Sequence, residues 1–271
     1  MIKPSFLFLF IITSATLCRA AQVEYQMKCD LGKGTTQSRQ VNGYTVVLTP
    51  SEGVCRVSIL DENKKSILHF GSTGIQVYVG AGVTTDGGPN VIVQEDTSHP
   101  YKLFIISLRD RPHVIRVLEN LYGFWLQDDC GGKIRIWTAD GGFLKDPDLS
   151  DVYHADLYTP DVVFGIEGDR LVDDTPSCQD YFDKEIKSLR ATLTEVQVDK
   201  FRTNRISDDF QRGVVKGRVL KVTFCYLYTG RDAEAKRVLQ QMWPKNDIDR
   251  IWQSIMRERS GGVLSNITQA H

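Results

Sequence analysis

No local signature of a common enzyme class occurs in this chain. It contains no G-x-S-x-G elbow, no H-E-x-x-H pair and no G-x-x-x-x-G-K-[ST] loop. Histidine is scarce, at positions 69, 99, 113, 154 and 271 only, and these lie in separate segments. A catalytic site would have to be assembled from distant residues, so enzyme activity is unsupported rather than excluded. No C-x-x-C occurs, which removes the thioredoxin-type redox motif and the common zinc spacing. A basic excess is also missing, with 33 Lys and Arg against 34 Asp and Glu, and this argues against nucleic acid as a partner. After the first twenty residues no apolar run approaches the ~20 residues needed to cross a bilayer, so no transmembrane segment is expected.

What is present begins with a leader. Lys3, an apolar run from Phe6 to Cys18 and the ending Cys18-Arg19-Ala20-Ala21 follow the order of a secretory signal peptide, residues 1–20, cleaved after Ala20. Lipidation of Cys18 is discounted because Leu17 stands where a small residue belongs. Export to the periplasm or beyond is therefore expected, and in that oxidising space some of Cys29, Cys55, Cys130, Cys178 and Cys225 should pair. Cys29 and Cys55 fall on strands expected to be neighbours and form the favoured bridge, with Cys130–Cys178 second. Cys225 lies in an apolar helical stretch and reads as a buried, inert thiol.

The chain is expected to be α+β, with an antiparallel β-rich part over 21–174, a sandwich or incomplete propeller-like stack, and a helical part over 175–271. The β runs are Tyr44–Thr49, Val54–Leu60, Ile75–Val79, Val91–Gln94, Leu103–Leu108, Val114–Leu118, Ile134–Trp137 and Val162–Gly165, separated by turns rich in Gly, Asn and Asp. After Thr175-Pro176 the period changes, and Phe182, Ile186, Leu189 and Leu193 share one helical face. Further helices are expected over 214–228, 232–242 and 247–257, broken at Gly230, Pro244 and Gly261-Gly262.

The segment Val79-Gly80-Ala81-Gly82-Val83-Thr84-Thr85-Asp86-Gly87-Gly88-Pro89-Asn90-Val91 resembles the strand-turn-strand of FG-GAP or VCBS-type repeats, the integrin α-like propeller units of many exported bacterial proteins. Trp125–Ile136 looks like a worn second copy, and the resemblance extends loosely over residues 75–175. It implies a calcium loop, for which this chain offers Thr84, Asp86 and Asn90, with Gly82 where the repeat places an acid. The second copy offers Asp129, flanked by Gln127 and Gly131. Calcium requires six or more oxygens, several of them carboxylate, so a glycine-rich turn held by backbone geometry is the better reading of both.

Two other stretches stand out. Asp146, Asp148, Asp151, His154, Asp156 and Asp161 could ligate a divalent ion, but a solvated loop accounts for them equally. Tyr226–Leu239 is similar to half a tetratricopeptide repeat, with Gly230 at the turn and Ala233 and Ala235 small enough for close packing; a single hairpin cannot form a binding solenoid. Trp243 and Trp252 are expected to be core or inter-domain anchors. The function expected is non-catalytic binding or scaffolding at the cell envelope, of an unknown protein or envelope ligand. The alternative is a secreted hydrolase whose site centres on the acidic loop around His154.

Overall fold

The computed structural model describes residues 25–80, 82–84, 88–96, 100–150 and 159–268. The expected leader, residues 1–20, therefore lies outside the described residues. Among the described residues, thirteen strands form three antiparallel sheets, and helices follow. The first sheet is the meander β2 (Gln37–Val41), β3 (Tyr44–Ser51), β4 (Val54–Leu60) and β5 (Ser66–Ser72). The second has the order β1-β6-β7-β8-β9, with β1 (Tyr25–Lys28), β6 (Ile75–Val79), β7 (Asn90–Glu95), β8 (Tyr101–Ser107) and β9 (His113–Asn120). The third is the meander β10 (Phe124–Cys130), β11 (Lys133–Ala139), β12 (Asp161–Glu167) and β13 (Arg170–Asp173). None of the sheets closes into a barrel.

Short turns set these registers. Asn42-Gly43 and Glu52-Gly53 adopt positive φ at both positions (50° and 80°, 50° and 79°), the backbone of a two-residue hairpin whose twist matches that of its strands.

Strand alternation then decides the layering, because successive side chains point to opposite faces. In the second sheet, Val77, Val79, Val91, Val93 and Ile106 join Val46, Leu48, Val57 and Ile59 of the first sheet in one core. Their neighbours Tyr78, Ile92, Leu103, Ile105 and Leu118 face the other way, into a larger core. The second sheet is thus buried on both faces, which explains the near-continuous burial of β7.

The larger core continues through Ile134, Ile136, Phe164 and Ile166 of the third sheet into Phe182, Val219, Phe224, Leu239 and Ile255 of the helices. The helices are α1 (Gln179–Ala191), α2 (Glu195–Arg202), α3 (Asp209–Tyr228), α4 (Asp232–Met242), α5 (Ile248–Gly261) and the short α6 (Ser265–Thr268). Strand gives way to helix between Asp173 and Thr175, where a 3-10 turn Thr175–Cys178 with proline in its first turn precedes α1. Trp137 packs on Tyr181 and Phe182 at ring centroid distances of 4.8 and 6.3 Å, joining β11 to α1.

The α3–α4 hairpin turns at Gly230 (φ 79°), where the Gly230 and Arg231 amides donate to the Leu227 and Tyr226 carbonyls. Ala235 is buried in its contact, whereas Ala233 is exposed and takes no part in close packing. Trp243 is buried edge-on against Phe201 at 5.2 Å, and Trp252 lies partly buried beneath the Lys236 ammonium. Among the described residues no helix is long and apolar enough to cross a membrane.

Candidate functional site

Both expected disulfides are present. Cys130–Cys178 ties the end of β10 to the 3-10 turn before α1. Cys29–Cys55 departs from expectation in its placement: Cys29 follows β1 in the second sheet and Cys55 lies on β4 in the first, so the bridge spans facing sheets rather than neighbouring strands. Cys225 is free and buried, and burial pushes its thiol up to about 12, as suits an inert core group.

Of the three oxygen donors expected in the first loop, Asp86 lies outside the described residues. The Thr84 hydroxyl and the Asn90 side-chain amide both donate to the Gly88 carbonyl, at 2.9 and 3.2 Å, and Thr84 bridges to Ile166. Asn90 is fully buried, with its side-chain oxygen unpartnered. In the second loop, Gly131-Gly132 makes a hairpin turn and Gln127 donates to the Asp129 carboxylate. Among the described residues no three of His, Cys, Asp and Glu gather in a way that could hold a metal ion.

Half of the acidic cluster, Asp151, His154 and Asp156, lies outside the described residues. The described acids are each paired with a cation from a helix: Asp146 with Arg257, Asp148 with Arg250, and Asp161 with Lys221 at 2.8 Å. Burial tends to raise the Asp146 carboxyl, but the Asp148 amide, Ser254 and Arg257 outweigh it and hold the group below the usual carboxylate range.

The most elaborate polar centre is one that sequence reasoning did not single out. Asp140 follows β11, caps the 3-10 turn Gly141–Lys145, and is 1% exposed. Its carboxylate accepts from the Gly142 amide (3.0 Å), the Tyr228 hydroxyl (2.8 Å) and the Val263 amide (3.2 Å). Burial pushes this carboxyl above its ordinary range, against the lowering pull of those three donors, and Glu258 adds to the rise. Burial and then the charge on Asp140 raise the Tyr228 hydroxyl far above its ordinary value, so it stays a donor.

Asp140 lines an open cleft of about 380 Å³ where β9, β11 and the turn after α5 converge. Asn120 forms part of its wall, donating to the Thr138 hydroxyl (2.7 Å) and the Ala139 carbonyl (2.6 Å). Glu119 pairs with Lys102 at 3.2 Å, and Lys145 completes the charged lining. The described lining of the cleft is otherwise Pro100, Leu121 and the backbone of Gly142, Gly261, Gly262 and Val263.

Asp140 falls within residues 75–175, over which the repeat resemblance extends, but that resemblance gives it no role. Two of the three partners of Asp140 are 88 and 123 residues away, and no local pattern foretells them. Compared with protein-family models, curated proteins and solved structures, the chain matches none.

Proposed function

We propose that this chain is an exported, non-catalytic binding or scaffolding protein of the cell envelope. The observation that carries this reading is how its polar groups are used. The described carboxylates of the acidic stretch are engaged in ion pairs between layers, and the buried Asp140 is engaged by the Gly142 and Val263 amides and the Tyr228 hydroxyl. Two disulfides in a chain with an apolar leader support an oxidising compartment. The repeat resemblance supports a binding role in the same compartment.

A broad panel of hydrolase substrates tests the reading. No turnover above background is expected. Turnover that disappears on substitution of one polar residue would establish an enzyme instead.

A further inference from the structure

We propose that β5 (Ser66–Ser72) pairs antiparallel with β5 of a second copy of this chain, Phe70 of each copy facing its counterpart across a two-fold axis. This goes beyond the binding reading and does not depend on it.

The first argument is what guards a sheet edge. An edge strand presents a row of backbone donors and acceptors, and charged side chains ordinarily keep it from pairing with another chain. Among the described residues the three sheets have six edge strands. Five of them carry at least one Asp, Glu, Lys or Arg, as β2 at the other edge of the same sheet carries Arg39. Only β5, Ser66-Ile67-Leu68-His69-Phe70-Gly71-Ser72, has none. Its register with β4 shifts at Ile67, so the regular part is residues 68–72, with Phe70 at the midpoint.

The second argument is an apolar rim. Leu68 and Phe70 face the smaller core but are only partly buried. The Phe70 ring lies 4.8 Å from that of Phe104, which is also partly buried. Opposite Phe104, on β9, Val117 is 39% exposed. A second Phe70 across the edge would extend this row of rings and cover the rim.

The third argument is Gly71. Glycine inside a strand costs about 0.5–1 kcal/mol relative to alanine. Gly71 does not have positive φ, and a Cβ there would meet Val54 and the Cys55 carbonyl at 3.8 and 3.9 Å, ordinary contacts. Nothing within the chain demands glycine at this position, and such a glycine marks the close approach of another group. With Phe70 on the axis, Gly71 lies opposite His69 of the second copy, whose ring would cover the bare backbone. This register keeps inner faces together, overlaps all of residues 68–72 and brings no two charges face to face. One strand that complements itself in this way fits a two-fold contact between identical chains.

Sedimentation equilibrium of the mature protein tests the pairing. A dimer with a Kd of about 10–100 μM is expected, as suits a small interface. His69 and Gly71 are both exposed, and Gly71 faces Arg56 within its own sheet, so acids are tolerated there in the monomer. His69→Glu with Gly71→Glu sets carboxylates opposite each other on both sides of the axis and should weaken the dimer about tenfold. His69→Lys with Gly71→Glu sets opposite charges there and should keep it within about threefold of the parent. If these variants do not fold, hydrogen exchange of the unmodified protein decides: between about 5 and 500 μM, amides of β5 should gain protection and those of β2 should not. A chain that stays monomeric to about 500 μM, a dimer indifferent to the two glutamates, equal loss in both double variants, or unchanged exchange in β5 would each overturn the proposal.

Discussion

Asp140 shows how one residue is shaped by groups far away in sequence. It fastens the end of β11 to the last turn of α3 and to the turn after α5, and burial raises its carboxyl. The folded state therefore holds this proton more tightly than the unfolded chain does. Its contribution to stability is full below the usual aspartate range and is lost as pH rises toward the raised folded value. Asp173 shifts in the same direction through burial, while Asp146, held low, acts with opposite sign at more acid pH. Urea unfolding between about pH 4 and pH 7 should thus show a falling component that is smaller in Asp140→Asn; an identical slope in both proteins would contradict the assignment. Asp140→Ala, which strands three donors, should cost about 2–4 kcal/mol in the same measurement.

At the scale of elements, what could be read from sequence followed burial. The expected strands match β3, β4, β6, β7, β8, β9, β11 and β12 closely, because each alternates or runs apolar against a core. The strands that escaped, β1, β2, β5, β10 and β13, are all sheet edges. An edge strand such as β2, Gln37-Ser38-Arg39-Gln40-Val41, is solvated on one side and largely polar, so neither periodicity nor hydrophobicity marks it.

The helix α2 was missed for a related reason: its eight residues bury only Phe201. Its start is nevertheless written in a capping box, with the Thr194 hydroxyl accepting from the Gln197 amide and the Gln197 side chain accepting from the Thr194 amide. Thr194→Ala should cost about 1 kcal/mol by denaturant unfolding, and no change would mean that packing alone holds this helix. The Cys130–Cys178 bridge closes a span of 48 residues between a sheet edge and the helices. Replacing both cysteines by serine should lower stability by about 2–4 kcal/mol, and a smaller loss would show that the junction is held by packing.

Across the whole molecule, two apolar cores and a few charged clasps hold the layers together. Lys221, in the middle of α3, reaches the Thr159 carbonyl at 2.7 Å and the Asp161 carboxylate at 2.8 Å, with both side chains largely buried. Removing one partner strands the other, so Lys221→Met should destabilise by about 3 kcal/mol, and Lys221→Met with Asp161→Leu should recover most of that loss. If the double variant is no more stable than the single one, the clasp is not the source of the effect.

These long-range links also explain why the α+β class was legible while the cleft was not. Composition and period report local burial, whereas the cleft exists only where three distant segments converge.

The export claim underlies both the compartment and the binding role, and one measurement addresses it most directly: a non-reducing peptide mass map of the protein isolated from its native cells. The account predicts an N-terminus at Ala21, bridged peptides containing Cys29 with Cys55 and Cys130 with Cys178, and an unmodified Cys225. An intact Met1 with all five later thiols reduced would contradict it.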